Sequence, residues 1–215
     1  MTGAALLTAQ SQKKNKGNEM DQPSRNPGAP GLIGIVSSTG GFEALVEVLG
    51  SLPREFPVPI LFVPSFNPVY VNWLAARLDA KGPLHVTVAK DGQVPEPGHV
   101  YVAADDPCLV VVQGRLRFEG GNPDYKRRPK DALFRSMARD QGSGAIAVIL
   151  SGMGMDGADG MNEVRDAGGY TIVQNESTSV VYGGRYAVEL NAACESLPIQ
   201  EIAPRLVALV ATDQP

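Results

Sequence analysis

Residues Gly31 to Leu49 read GLIGIVSSTGGFEALVEVL. An apolar run, Leu32 to Val36, stops at two serines, and Thr39, Gly40 and Gly41 follow. Beyond them Phe42, Leu45, Val46 and Leu49 recur at i, i+3, i+4 and i+7, the spacing of a helix with one buried face. The pattern predicts strand, tight turn and helix, with hydroxyl groups at the turn. A serine at such a turn projects from a sheet edge as a nucleophile, or it caps the helix. The backbone N–H groups of Thr39, Gly40 and Gly41, at a helix N-terminus, are candidate donors to an oxyanion.

The same alternation continues outward. PILFVPSFNPVY gives a strand at Ile60 to Val63 and a proline-bounded loop, and Val71, Leu74 and Leu78 mark a helix. KDALFRSMARD reads as a helix and AIAVIL (Ala145 to Leu150) as a buried strand. DGADGMNEVRDAGG reads as a helix closed by Gly168 and Gly169, YTIVQ as a strand, and IQEIAPRLVALV as a last helix with Pro204 in its early turns. Strands alternating with helices predict an α/β fold, a doubly wound and mostly parallel sheet covered on both faces. Four short runs between about 86 and 120, separated by Gly, Pro and Asp, read as an antiparallel β-hairpin region. Residues 1–30, polar and rich in Gly, Asn, Gln and Pro, read as a disordered tail, leaving 31–215 as one domain.

Composition narrows the function classes. The 215 residues are 43% hydrophobic with a formal net charge of −4, which gives no reason to expect nucleic acid or an anionic membrane as partner. No apolar run approaches the roughly 18 residues of a membrane span, and the start lacks the order of a signal peptide, so a cytoplasmic location is expected. The two cysteines, Cys108 and Cys194, are too few and too far apart for a disulfide scaffold or a paired-cysteine zinc site, and buried thiols are expected. Gly152, Gly154 and Gly157 satisfy G-x-G-x-x-G, with Glu176 about twenty residues on, the outline of a dinucleotide site. Against it, the motif comes late in the chain and Asp156 inside the turn opposes a pyrophosphate.

Six stretches resemble the catalytic domain of the bacterial chemotaxis protein-glutamate methylesterases. They are GIVSSTGGFEAL, ARLDA, VAKDGQVPEPGHVYVA, RRPKDALF, AIAVILSGMGMDGADGM and YTIVQNESTSVVYGG, in family order over about residues 32 to 210. The resemblance implies a serine hydrolase that demethylates and deamidates glutamyl side chains of chemoreceptors through a Ser-His-Asp triad. It places the nucleophile on Ser38 and the carboxylate on Asp156. The histidine position falls on Ser65, inside VPSFNP, so the resemblance implies a divergent member without that histidine. RPKDALF is one residue shorter than the family's pattern and lacks its serine. The receiver domain common in full-length members is expected to be absent. No metal or organic cofactor is implied.

A hydroxyl at position 65 cannot take a proton from Ser38 near neutral pH. Three readings follow. In the first, an impaired or inactive methylesterase domain binds a chemoreceptor or other signalling protein. In the second, an esterase or amidase uses a substitute base. The third is a nucleotide-binding module. The basic loop YKRRPK, with Arg127, Arg128 and Lys130, is a candidate docking surface for acidic receptor helices or a solvated loop.

Overall fold

The computed structural model describes residues 31–104, 106–120 and 128–211. The expected tail, 1–30, lies outside the described residues. The first unit is strand β1 (Leu32–Ser37) and helix α1 (Gly41–Gly50). Strand β2 (Ile60–Pro64), helix α2 (Val71–Asp79) and strands β3 (His85–Val88) and β4 (His99–Val102) follow. Then come β5 (Cys108–Val112) and β6 (Arg115–Glu119), and helix α3 (Pro129–Gln141). The last half holds β7 (Ala145–Ile149), α4 (Ala158–Asp166), β8 (Tyr170–Gln174), α5 (Arg185–Glu189), β9 (Glu195–Leu197) and α6 (Ile199–Val210).

Seven strands form one sheet in the order β3-β4-β2-β1-β7-β8-β9, every neighbouring pair parallel. The central strands β2, β1 and β7 are buried at every position and almost wholly apolar because both faces are covered, and alternate residues serve opposite cores. Ile33 and Ile35 of β1 pack with α1, α2 and α6; Leu32 and Val36 pack with α3, α4 and the β5–β6 hairpin. The doubly wound fold expected from the alternation is present. Cys108 and Cys194 are both buried. No helix among the described residues is long and apolar enough to cross a membrane.

One expectation needs correcting. Among the described residues antiparallel pairing is confined to β5 and β6, whereas β3 and β4 lie parallel to each other, and β4 pairs with β2, inside the main sheet. Short runs between turns look alike whether the chain reverses or crosses over. The hydrogen-bonding partner is set by which open sheet edge the strand reaches, not by its own periodicity.

Candidate active site

Ser38 follows β1, Ser65 follows β2, and Asp156 lies in the turn after β7. These three strands are neighbours, so all three residues sit at the carboxyl end of the sheet, where sites of open α/β folds lie. Ser38 and Ser65 line one cleft of about 300 Å³, with Thr39, Gly40, Phe62 and Phe66. The Ser65 N–H donates to the Ser37 carbonyl at 2.9 Å, tying the two strand ends together. Asp156 does not line this cleft. It lines a separate chamber of about 10 Å³ with Lys130, Gly152 and Gly154, and Ser37 borders both spaces.

The serine turn is held from its neighbours. The Ser38 N–H donates to the Ser151 carbonyl at 3.0 Å, and the Ser151 hydroxyl donates to the Thr39 carbonyl at 2.7 Å. Ser151 itself is fixed through its own N–H, which donates to Gln174 Oε1 at 2.8 Å. Gly40 has φ 77°, left-handed backbone that favours glycine, and a Cβ there would meet Val180 at 2.6 Å. A Cβ on Gly152 would stand 2.9 Å from the Ser38 nitrogen. Gln174 was not singled out by sequence reasoning, and Gly152 was read only as part of a glycine-rich motif; a serine closing a long apolar run was the available signal for Ser151.

Of the three oxyanion donors expected from the sequence, Gly41 is engaged: its N–H donates to the Ser38 carbonyl at 2.9 Å. A tight turn closes with this i to i+3 bond, which removes the donor. The Thr39 and Gly40 N–H groups make no hydrogen bond among the described residues. The Ser37 hydroxyl is buried beneath Gly41 and has no hydrogen-bond partner among the described residues.

Asp156 is used differently from a base-orienting carboxylate. Its oxygens accept from the Lys130 N–H at 3.2 Å and the Asp131 N–H at 3.0 Å, in the first turn of α3. Asp131 returns the arrangement. One of its oxygens accepts from the Gly157 and Gly160 N–H groups at 3.0 and 2.7 Å, at the start of α4. The two helices thus cap each other with carboxylates placed at their positive ends. Asp131 is fully buried, and the sequence offered only an acid in a first helical turn as its signal. The α4 N-terminus, where a pyrophosphate would lie, is already filled by the Asp131 carboxylate. That overturns the dinucleotide reading.

Burial pushes the Asp156 carboxyl above the usual carboxylate range. The Asp131 charge adds to this, and the two N–H bonds and the Lys130 charge oppose it. The folded chain therefore holds this proton at pH values where the unfolded chain releases it. The contribution of Asp156 to stability falls as pH rises through the window between the two pKa values. The stability of the wild type relative to Asp156→Asn is expected to increase as pH is lowered from neutral through that window. Urea midpoints measured across it check the claim, and a difference independent of pH would refute it.

The basic loop is not a free cationic surface among the described residues. Arg127 lies outside them. Arg128 pairs with Asp131 at 3.2 Å and also bonds Asp159. Lys130, one of the docking candidates, is only 5% exposed, because it opens α3 against the Gly152–Gly157 turn. The two described members of the expected docking surface are thus committed to intramolecular positions.

Both histidines of the chain lie at the other end of the sheet. His85 opens β3, His99 opens β4, and they are partners in register, with ring centroids 5.4 Å apart. Ile60 of β2 pairs with Val100, so His99 is level with Pro59. Six residues of strand, about 20 Å, separate that level from Ser65.

Fold and turn together define a doubly wound α/β domain carrying a serine at a strand-to-helix turn. The family model described as CheB methylesterase matches residues 33–206, and the chain belongs to that family. The chain is 41% identical over 192 residues to protein-glutamate methylesterase/protein-glutamine glutaminase 2 of Paramagnetospirillum magneticum, covering 86% of this chain and 54% of that one. It is 42% identical over 182 residues to the corresponding protein 4 of Myxococcus xanthus, covering 83% and 52%. The chain thus spans about half the length of these curated relatives. Among solved structures, the Thermotoga maritima CheB methylesterase catalytic domain matches with a TM-score of 0.77 and 34% identity, over 85% of this chain and all of that one.

Proposed function

We propose that this domain binds the methylated or amidated helices of a chemoreceptor-type protein in the cytoplasm and hydrolyses their side-chain esters or amides only weakly. Ser38 holds the nucleophile position, the Thr39 and Gly40 N–H groups face the developing oxyanion, and Ser65 stands where the family carries its base. The observation that carries the reading is the place of the two histidines, at the amino end of the sheet, out of reach of Ser38. A serine hydroxyl without a proton acceptor is a poor nucleophile. Losing the histidine of a serine triad costs on the order of 10⁶ in turnover. Oxyanion stabilisation and binding then leave roughly 10³ to 10⁴ over water.

The test is methanol release from a methylated chemoreceptor fragment. The expected rate lies several orders of magnitude below that of a complete triad, and Ser38→Ala changes little of what remains, because oxyanion stabilisation and binding supply it. Release at ordinary triad rates, abolished by Ser38→Ala, would instead establish the second reading, an esterase with a substitute base.

A further inference from the structure

Among the described residues that line the Ser38 cleft, Glu43 is the only ionisable one, and Phe42, Phe62, Phe66 and Leu74 supply apolar wall beside it. Glu43 is the third residue of α1, counted from the Gly40 cap. From that position a glutamate commonly reaches back to cap its own helix. Here the start of α1 has no side-chain cap, and the Glu43 carboxylate has no hydrogen-bond or ion-pair partner among the described residues. The cleft therefore holds one carboxylate that neither capping nor pairing accounts for.

We propose that Glu43 is a specificity-determining residue: it lets the cleft hold a neutral glutamyl ester or amide and turns away the glutamate carboxylate that hydrolysis leaves. This rests on the reading that the cleft takes glutamyl side chains of a chemoreceptor-type protein. Two charges compete for an entering side chain. The amino end of α1, where the Thr39 and Gly40 N–H groups lie, attracts an anion with the equivalent of about half a positive charge. Glu43 opposes it with a whole negative charge from the first turn of the same helix, so the net field on an entering group is negative. The apolar walls strengthen that field by lowering the local dielectric. The other charges nearby lie outside the cleft lining. Arg77 of α2 sits over the Trp73 ring at 5.7 Å, and Lys130 and Asp156 line the separate chamber. An uncharged ester or amide meets no repulsion and still offers its carbonyl to the free N–H groups. Glu43 is exposed, so water and salt screen part of its effect and a preference of about tenfold is expected, not a larger one.

The probes are N-acetyl-glutamine amide and N-acetyl-glutamate amide, which differ only in the charge of the side chain. Each is titrated into the full chain at neutral pH, and the amide resonances of Thr39 and Gly40 are followed by NMR. The glutamine compound is expected to bind about tenfold more tightly than the glutamate compound. Glu43→Gln should bring the two within about twofold, and Glu43→Lys should invert their order. Glu47→Gln, one turn further along α1 and outside the cleft lining, should leave the wild-type ratio unchanged. An inversion that follows the sign of one charge is a result that a purely structural role for Glu43 does not produce. The same spectra show whether each variant is folded, and Glu43→Gln decides alone if Glu43→Lys is not. Equal affinities in the wild type overturn the proposal, as does a ratio that Glu43→Gln leaves unchanged, a change in Glu47→Gln as large as in Glu43→Gln, or binding of neither compound at Thr39 and Gly40. Titration with a methylated chemoreceptor fragment separates this proposal from the reading beneath it. A fragment that does not bind removes the chemoreceptor reading and leaves the charge preference of the cleft. A fragment that binds, with no preference between the two small compounds, removes Glu43 as its determinant and leaves the reading.

Discussion

Ser65→His is expected to raise hydrolysis of p-nitrophenyl acetate about tenfold over the wild-type chain, equivalent to about 1.4 kcal/mol of barrier. The substitution returns an imidazole to the cleft that Ser38 and Ser65 share. A restored base recovers several orders of magnitude only when it sits within hydrogen-bond reach of the proton and is held there. Two features keep the gain small. Pro64 and Phe66 restrict the new ring. Asp156 lies outside the cleft and already accepts two N–H bonds from α3, so it has less capacity to orient an imidazole. The gain should disappear with Ser38→Ala. A gain that survives Ser38→Ala places the new histidine outside the proposed site.

Asp131→Ala should lower stability by about 3 kcal/mol, read from urea unfolding. Removing this carboxylate leaves the Gly157 and Gly160 N–H groups without their acceptor inside the protein and Arg128 without one of its partners. Buried donors left unpaired cost about 1 to 3 kcal/mol each, and breaking a buried charge pair adds to this. Asp131→Asn keeps one acceptor oxygen and should lose less. A loss under about 1 kcal/mol for the alanine variant would show that water satisfies these donors, against the mutual capping described above.

Membership of the family and the architecture rest on different kinds of information. The period of Leu32 to Leu49, the apolar runs of β2, β7 and β8, and the glycine-rich turns after β1 and β7 are local features. Backbone sterics and the two periodicities convert them directly into strand, turn and helix. The lack of a histidine at position 65 is equally local, since it needs only the residues of VPSFNP.

Other properties depend on which segments meet. Short runs at 85–88 and 99–102 carry no mark of their partner, so their parallel pairing became visible only once β4 lay against β2. Gly41 looked like an oxyanion donor until the turn closed on the Ser38 carbonyl. Lys130 and Arg128 read as a solvated basic run, yet Lys130 is buried against the Gly152–Gly157 turn and Arg128 is held by Asp131 and Asp159. Asp156 sits in a motif whose sequence points to the cleft, but the first turn of α3 supplies two N–H groups that claim its oxygens.

The sequence by itself determined the succession of strands and helices, the serine turn and the serine at position 65, because each is encoded within a few adjacent residues. Only the tertiary structure decided the strand order, the mutual capping by Asp131 and Asp156, the seclusion of both histidines and the place of Glu43 in the Ser38 cleft. Those depend on burial and hydrogen-bond pairing between residues tens of positions apart, where each polar group takes the partner that packing brings to it.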